Sequence, residues 1–388
     1  MAERVPFKES LNAPAIAHLR RRLEATWPAF EGDRFEDAVI PKLPALELKD
    51  RVRCVIEALR LTLPDAYPEA LDVLLRTAST WQPLEREDGL GDFGVWPLID
   101  FIGRYGAGPE HFDASMAALR TMTGLWSAEF AVRPFLIDDQ DRAMAHLRSW
   151  LEDPDHHVRR LISEGTRTRL PWGQRLPALI VDPSPVFELL EALRLDDSEY
   201  VRRSVANNLN DVSKDHPGRV VECCARWWRE AEDGGPLTLD ERHHRRRLVR
   251  HALRTLIKAG DPGALRVLGY RSDAPVSVED LRCPQLGGGA VHLGGVVHFA
   301  FDLVSASKVS EPLVVDYALH MTKAAGHRTA KVFKLKTLEL PAGGRVEILK
   351  KHSFKKVTVR TYHPGRYALE ILVNGRPRAQ TEFDFVLE

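Results

Sequence analysis

The sequence has few cysteines and no long apolar run. Four cysteines (Cys54, Cys223, Cys224 and Cys283) are spread over 388 residues without a CxxC pair, so they predict neither a disulfide framework nor a zinc motif. No apolar stretch approaches the roughly 20 residues of a membrane-spanning helix. The first ten residues, MAERVPFKES, contain no apolar core of a secretion signal. We therefore expect a protein of the reducing cytoplasm with no membrane segment.

The usual motifs of hydrolases and nucleotide-binding enzymes are also missing. The sequence contains no GxSxG, no HExxH and no Walker lysine. The glycines at 287–289 are followed by strand-like residues rather than by a helix, which argues against a dinucleotide-binding loop. The pairs at 156–157 (HH) and 243–244 (HH) are adjacent, so one helix face cannot present both rings to a metal. We expect no metal and no organic cofactor, and any enzymatic chemistry would rest on carboxylates.

Charge of neither sign predominates, because 55 Lys and Arg balance 55 Asp and Glu. The balance conceals a division: residues 284–388 carry 15 basic and 9 acidic side chains, whereas residues 1–283 carry 40 and 46. The densest basic run is ERHHRRR at 241–247. Such a run is most often a solvated helix face, but one basic face can also bind nucleic-acid phosphates.

Helical periodicity extends from about residue 13 to residue 270. The length predicts two or three domains, and 44% hydrophobic with 28% charged residues is typical of soluble globular proteins. Apolar residues recur on single helix faces, as in Leu48, Val52, Val55, Ile56, Leu59 and Leu63, in Val186, Leu189, Leu190 and Leu193, and in Val220, Cys223, Cys224, Trp227 and Trp228. Proline and glycine interrupt the pattern often, which predicts short helices joined by tight turns.

Some of these predicted helices resemble one another. Residues 155–160 (DHHVRR) match residues 198–203 (SEYVRR) at a shift of 43, and residues 248–253 (LVRHAL) form a weaker third copy. A period of about 40–47 residues with two helices per unit is typical of HEAT-like repeats. We therefore predict an α-solenoid with a concave surface.

Beyond residues 287–289 the apolar period changes to two. Five segments rich in Val, Phe, Tyr and Thr are separated by turn residues: AVHLGGVVHFAFDLV, PLVVDYALHM, AKVFKLKTLEL, KKVTVRTY and YALEILVNG. We predict an immunoglobulin-like β-sandwich, with Tyr367 as a candidate tyrosine corner and a hairpin turn at 373–375 (VNG). The predicted domains are 1–275, built of HEAT-like helical repeats, and 284–388, the β-sandwich.

Polar residues recur beside the buried stripe of two matching repeats. On the helix predicted at 199–213 the stripe is Val201, Val205, Leu209 and Val212. Asn207 and Asp211 lie one turn apart on another face, and Arg160 and Glu164 occupy the places equivalent to Arg203 and Asn207. Such repetition would build a shared groove. The alternative is a surface ion pair, worth on the order of 0.3 kcal/mol.

Trp172 differs from the other tryptophans because no helical stripe surrounds it. It lies in the basic segment RTRLPWGQR at 167–175, between a proline and a glycine. A tryptophan in this setting either anchors the loop against a helix or stacks on a sugar, a base or a cationic ligand. The sequence leaves both possibilities open.

Three segments in order, 125–136 (LWSAEFAVRPFL), 158–172 (VRRLISEGTRTRLPW) and 200–217 (YVRRSVANNLNDVSKDHP), resemble the AlkC branch of the HEAT-like DNA alkylation repair glycosylases. That branch is also known with an appended immunoglobulin-like domain. The resemblance covers nearly the whole helical part. It implies excision of cationic N3-alkylated bases, 3-methyladenine and 3-methylcytosine, from duplex DNA without base flipping, as a DNA glycosylase of base excision repair. It implies catalytic roles for Glu164 and Asp211, an active-site role for Trp172, a further functional role for Glu129 and, more loosely, a role for Arg160.

The expected partner is double-stranded DNA with alkylated bases, bound by a monomer associated with the nucleoid. A basic groove would hold phosphates through Arg159, Arg160, Arg167, Arg169, Arg203, Asn207, Arg245, Arg246 and Arg247. The net-positive sandwich could close over the DNA through Lys350, Lys351, Lys355 and Lys356, although lysines on a β-hairpin also protect sheet edges. The alternatives are a non-catalytic HEAT scaffold for a protein partner and an architectural DNA-binding protein.

Overall fold

The computed structural model describes residues 5–82, 93–232, 235, 237–283, 290–356 and 361–387. The chain divides into two compact units, residues 1–215 and 216–388. In the described residues the first unit is helical, and the second contains helices followed by β-strands.

The helices of the first unit are short and joined by tight turns, as the spacing of proline and glycine predicts. They are α1 (Ala13–Thr26), α2 (Gly32–Val39), α3 (Leu48–Thr62), α4 (Tyr67–Ser79), α5 (Trp96–Tyr105), α6 (Phe112–Met122), α7 (Arg133–Asp138), α8 (Gln140–Ser149), α9 (His156–Gly165), α10 (Pro177–Val181), α11 (Ser184–Leu193) and α12 (Glu199–Val212), with 3-10 helices at Phe7–Leu11 and Ile40–Ala45. Every residue of the two predicted apolar stripes that begin at Leu48 and at Val186 is buried. Burial of each such side chain contributes about 1.5–3 kcal/mol, which fixes the buried face of each helix.

The two best-matching repeat segments become α9 and α12, and these helices pack directly against each other. Helix α9 is capped by Asp155, whose carboxylate accepts a hydrogen bond from the backbone N–H of His157 at 2.8 Å. This bond satisfies one of the N–H groups that a helix start leaves without a partner. Stacking of α9 on α12 explains the shift of 43 between the matching segments, because each repeat buries its face against the next.

The helices of the second unit are α13 (Pro217–Glu230), α14 (Leu239–Ala252), α15 (Arg254–Lys258) and α16 (Pro262–Val267). Helix α14 begins with a reciprocal cap between Thr238 and Glu241. Helix α13 buries the predicted stripe as far as Trp227. The expectation that Trp228 belongs to the same core is wrong, because its ring is half-buried and lies beneath the guanidinium groups of Arg246 and Arg250, at 5.9 and 5.1 Å.

The strands of the second unit form two sheets. They are β1 (Val276–Arg282), β2 (Val291–His292), β3 (Val296–Ser305), β4 (Glu311–Thr322), β5 (Arg328–Leu340), β6 (Arg345–Ser353), β7 (Gly365–Val373) and β8 (Arg376–Val386). The first sheet has the order β1-β3-β6, and the second has the order β2-β8-β7-β4-β5. Both sheets contribute to one apolar core, in which Phe301, Tyr367 and Phe385 are almost fully buried. Two sheets that share a core in this way form a β-sandwich.

Two local predictions in this region are confirmed. The buried Tyr367 hydroxyl donates to the backbone carbonyl of His363 at 2.8 Å, which is the contact of a tyrosine corner. Asn374 and Gly375 connect β7 to β8 with φ of 45° and 73°, as a two-residue hairpin of type I′ requires. Of the strand predicted as KKVTVRTY (355–362), residues 357–360 lie outside the described residues, and residues 355–356 and 361–362 are not in a strand. Strands β1, β6 and β8 were not predicted.

The predicted fold class, a helical region followed by an immunoglobulin-like β-domain, is confirmed. The domain bounds 1–275 and 284–388 stay a prediction. No helix in the part of the chain that the structure describes is long and apolar enough to cross a bilayer.

Candidate active site

A polar face of α12 is buried against α9. Ser204, Asn208 and Asp211 follow one another at helical spacing and are all at most 3% exposed. The Asn208 side chain donates to the Ser163 carbonyl at 2.8 Å and to the Thr166 hydroxyl at 3.0 Å. The sequence placed Asp211 on a common face with Asn207. In the structure Asp211 and Asn207 do lie one turn apart, but Asp211 is buried against α9 together with Ser204 and Asn208, whereas Asn207 is half-buried.

Glu164 is enclosed between the two helices. Its Oε2 accepts a hydrogen bond from the Ser204 hydroxyl at 2.6 Å, and its Oε1 accepts one from Arg167 Nη1, also at 2.6 Å. Arg160 Nη2 lies 3.5 Å from the same Oε1. The alternative of a surface ion pair between Arg160 and Glu164 is therefore wrong, because their side chains are only 14% and 6% exposed.

Arg167 joins the two predicted catalytic acids. Its Nε donates to Asp211 Oδ2 at 2.8 Å while its Nη1 donates to Glu164. Lys214 Nζ contacts the other oxygen of Asp211 at 3.0 Å. We expected Arg167 at the surface as a phosphate contact. Its guanidinium is buried between two carboxylates instead, because each buried charge requires a partner of opposite sign.

Glu129 extends the same network from the segment that precedes α7. Its Oε2 accepts hydrogen bonds from Arg160 Nη1 at 2.6 Å and from the Ser127 hydroxyl at 2.8 Å. The Arg160 guanidinium also lies 4.9 Å from the centre of the Tyr200 ring. Three acids distant in sequence are thus brought together by two arginines.

The result is a chain of alternating charge through the first unit: Glu129, Arg160, Glu164, Arg167, Asp211 and Lys214. Removing one member of a buried pair typically costs about 3–5 kcal/mol, because its partner is left charged and unpaired. The network therefore fixes the carboxylates in position. Carboxylates held in a low-dielectric environment stabilise positive charge that develops beside them.

Trp172 lies on the turn that follows α9, and the residue is 62% exposed. Its φ is 64°, in the left-handed region that costs a residue with a side chain about 1–2 kcal/mol. The backbone carbonyl of Trp172 accepts a hydrogen bond from Lys49. The alternative in which this indole anchors the loop against a helix is not observed, because most of the ring faces solvent.

Two charged residues beside the network were not predicted as site residues from the sequence. Arg133 is fully buried, and burial together with the charge of Arg167 lowers its pKa to about 10. Asp100 lies one turn after Trp96 and accepts its indole N–H at 2.7 Å. Burial raises the pKa of Asp100 to about 7, although the nearby charge of Lys49 opposes this rise. Asp100 is the one acid in the apolar helix WPLIDFIGRY, and this was the signal that could have identified it from the sequence.

The remaining side chains that were predicted to bind phosphates fall into two groups. Arg203 and Arg247 are exposed, and Asn207 and Arg246 are half-buried. The other three form ion pairs with acidic side chains: Arg159 with Asp196 at 2.6 Å, Arg169 with Asp215 at 2.6 Å, and Arg245 with Glu230 at 2.7 Å. Arg245 is 0% exposed and lies 5.3 Å from the Trp227 ring centre, so our expectation that its guanidinium lies at the surface is wrong.

The predicted lysines of the sandwich lie on β6 and just after it. Lys351, Lys355 and Lys356 are exposed, and Lys350 is half-buried. Lys350 and Lys351 line an open groove of about 500 Å³ together with Arg282, His298 and the exposed Leu349. Within the described residues, no three His, Cys, Asp or Glu side chains converge in a way that could hold a metal ion.

The chain is similar to known proteins along its length. The C-terminal Ig-like domain of the uncharacterised protein YhaZ, as a family model, matches residues 280–387. The uncharacterized protein YhaZ of Bacillus subtilis (strain 168) is 36% identical over 378 residues, which cover 97% of this chain and 98% of YhaZ. The structure of the Pseudomonas fluorescens alkylpurine DNA glycosylase AlkC, bound to DNA containing an abasic site analog, matches with a TM-score of 0.87 and 35% identity. This match covers 98% of this chain and 100% of that one. This chain belongs to the AlkC family.

Membership of the AlkC family confirms the resemblance found in the three helical segments. It also accounts for the order of the two regions, because the match to AlkC includes both the helices and the β-sandwich. The buried network lies within the three segments that carry the AlkC resemblance. Glu129 is in the first segment, Arg160, Glu164 and Arg167 are in the second, and Asp211 and Lys214 are in the third.

Proposed function

We propose that this chain is a DNA glycosylase that releases cationic N3-alkylated bases, 3-methyladenine and 3-methylcytosine, from double-stranded DNA. Glu164 and Asp211 are the proposed catalytic acids, with Trp172 and Glu129 completing the site. The observation that carries the proposal is the convergence of Glu164 and Asp211 on Arg167, from two neighbouring helices. The similarity to AlkC, whose structure contains DNA with an abasic site analog, supports this assignment.

The chemistry follows from the charge of the damaged base. Alkylation at N3 gives the base a positive charge, which makes it a good leaving group. The enzyme then has to stabilise an oxocarbenium-like sugar and to position a water for attack, and carboxylates perform both tasks in glycoside hydrolysis. The exposed indole of Trp172 would add cation–π stabilisation as charge develops on the sugar.

The same chemistry makes extrusion of the base unnecessary. Many glycosylases flip the target base into a pocket, where they read its edges. We propose that this protein acts on a base that stays in the stack, so that leaving-group charge, rather than contacts with the base, selects the substrate. The protein would work as a monomer on cytoplasmic DNA and would need no metal or organic cofactor.

Phosphate contacts are proposed for exposed and half-buried basic side chains. In the first unit these include Arg203, with Asn207 beside it, and in the second they include Arg246 and Arg247. Lys350, Lys351, Lys355 and Lys356 form a further set on the sandwich. Phosphate binding of this kind predicts that affinity for duplex DNA falls steeply with salt concentration.

Substitution of the two acids tests the proposal. We expect Glu164→Gln and Asp211→Asn each to lower the single-turnover rate of 3-methyladenine release from methylated duplex by about 100-fold or more. Duplex affinity should change little. Glu188→Gln is the matched control, because Glu188 is an exposed glutamate paired with Arg148. Normal release by both site variants would contradict the assignment. Duplex binding without release by the unaltered protein would favour an architectural role, and absence of both would favour a protein scaffold.

A further inference from the structure

The turn that carries Trp172 is held from several sides. It runs from the end of α9 at Gly165 to Gln174. Within it, the Gly173 N–H donates to the Leu170 carbonyl at 3.0 Å. Arg169 is fixed by a two-point contact with Asp215, at 2.9 and 2.6 Å. The backbone is thus constrained on both sides of a residue that has a positive φ.

Arg133 closes this turn at its two ends. Its Nη1 donates to the Gly165 carbonyl at 2.8 Å, and its Nε donates to the Gln174 carbonyl. Gly165 also lies very close to the neighbouring Val132, because a Cβ at Gly165 would come within 2.6 Å of a Val132 methyl group. A single buried side chain therefore joins the start and the end of the turn.

Lys49 holds the middle of the turn. Its Nζ donates to the carbonyl of Trp172 itself, and it lies 5.6 Å from the centre of the Phe130 ring. Lys49 is exposed and belongs to α3, far from the turn in sequence. Its contact with the strained residue has no evident role in core packing.

We propose that Arg133 and Lys49 are positioning residues that hold the Trp172 turn in its left-handed conformation, so that the indole is already oriented before DNA binds. The inference rests on the proposed function, because it assigns the consequence of this order to base release. Preorganisation of this kind matters for catalysis, since a group that is fixed in advance need not be ordered during the reaction. Neither residue is proposed to touch the substrate.

The first test does not depend on activity. Hydrogen exchange of the backbone amides in 166–174 is measured for the full chain and for Arg133→Gln and Lys49→Met. We expect exchange in this segment to rise at least tenfold in Arg133→Gln and at least threefold in Lys49→Met, with no change in α11. Lys42→Met, which removes another exposed lysine of the same unit, should leave exchange unchanged. Unchanged exchange in both test variants would refute the proposal.

The second test asks whether the two residues act through Trp172. Single-turnover rates of 3-methyladenine release are compared for the full chain, each single variant, Trp172→Ala and the double variants. We expect Arg133→Gln to slow release at least tenfold in the original chain but less than twofold in the Trp172→Ala background. Lys49→Met should also slow release in the original chain, by a smaller factor than Arg133→Gln, and should have less effect in the Trp172→Ala background. Equal factors in both backgrounds would mean a role independent of Trp172 and would overturn the proposal.

The outcomes separate the two levels of inference. If the unaltered chain releases no base, the proposed function fails, whereas hydrogen exchange still decides whether Arg133 and Lys49 hold the turn. If Arg133→Gln does not fold, Lys49→Met decides both tests, because Lys49 lies at the surface.

Discussion

Trp172 combines exposure with a backbone conformation that disfavours its side chain. Its φ of 64° is suited to glycine, and 62% of the residue faces solvent. Strain of this kind usually persists where the surrounding structure imposes it and where function requires it. A substitution that relieves the strain should therefore stabilise the protein while removing the indole.

We expect Trp172→Gly to be more stable than Trp172→Ala by about 1 kcal/mol, because both lack the indole but only glycine adopts positive φ without a steric cost. Urea denaturation of the two variants measures this difference. At most other positions glycine would be the less stable residue of the pair. A Trp172→Ala variant that equals or exceeds Trp172→Gly in stability would show that the turn does not hold this conformation in solution.

Asp316 is a buried acid on β4. It faces a cavity of about 240 Å³ lined by Arg250, Arg254, Lys258, Tyr270 and Lys334. Burial raises the pKa of Asp316 to about 6, and the charges of Lys334 and Lys258 only partly oppose this rise. The folded state thus keeps a proton that the unfolded state releases above a pKa of about 3.9. The contribution of Asp316 to stability accordingly falls as pH rises from about 4 to about 6.

Asp316→Asn removes this titration. We expect its free energy of unfolding to exceed that of the unaltered chain by about 2–3 kcal/mol at pH 7.5, and by much less at pH 4.5. Denaturation at the two pH values measures the difference. Asp273→Asn serves as the control, because the Asp273 carboxylate is 82% exposed. An equal effect of Asp316→Asn at both pH values would mean that Asp316 does not retain its proton in the folded state.

Single residues also mark the limit of what could be predicted from the sequence. Glu164, Asp211 and Trp172 were predicted as site residues from their segments, but the burial of Arg167 was not predicted, because an arginine in a basic segment is ordinarily exposed. For Arg245 a signal did exist. Arg245 lies three, four and seven residues before Leu248, Val249 and Ala252, all of which are buried.

At the level of elements, helices were predicted more completely than strands. Apolar stripes at helical spacing identified α3, α11, α12 and α13, because each helix buries one continuous face. Strands β6 and β8 were missed because Lys, Glu, Arg and Gln dominate their exposed positions. Val346, Ile348, Phe383 and Phe385 carry the period-two signal there, but only in short runs.

Pairing between elements is harder to predict than the elements themselves. The contact of α9 with α12 followed from the repeat, whereas the polar composition of their interface did not. Ser204 and Asn208 can be buried only because Glu164, Ser163 and Thr166 supply hydrogen-bond partners from the facing segment. Such partners are 40 to 45 residues distant in sequence, and one sequence gives no signal that links them.

The hairpin between β7 and β8 packs against the end of α15. A Cβ placed on Gly375 would lie 2.3 Å from the Cα of Gly260, and one placed on Gly260 would lie 2.7 Å from the Gly375 carbonyl oxygen. Asn374 adds a hydrogen bond to the Arg271 carbonyl at 2.8 Å. The two glycines thus allow a helix end and a hairpin turn to touch through their backbones.

We expect Gly375→Ala to lower stability by about 2–4 kcal/mol, because the added methyl group must displace the backbone of Gly260 in addition to the strain of positive φ. Gly326→Ala is the matched control. Gly326 has a φ of 79°, and nothing lies within 4 Å of a Cβ built there. Thermal unfolding of both variants gives the contribution of the contact as their difference. Equal destabilisation would show that the helix end and the turn do not meet in solution.

Across the whole molecule, balanced net charge conceals a segregation that suits a DNA-binding protein. Residues 284–388 are net basic, and many acids of the first unit are paired with arginines inside the protein. Paired acids repel phosphates less than free ones, since an adjacent guanidinium offsets their charge. The similarity to AlkC extends over both regions, the helices and the β-sandwich.

Selection by leaving-group charge is the central claim about this molecule. Base release from two duplexes that differ in one lesion tests it most directly, with 3-methyladenine as the cationic lesion and 1,N6-ethenoadenine as the neutral one. We predict rapid release of 3-methyladenine and no release of the neutral base above background, and the Glu164→Gln variant should release 3-methyladenine more slowly by about 100-fold or more. Comparable release of both lesions, or release of the neutral base alone, would contradict the account.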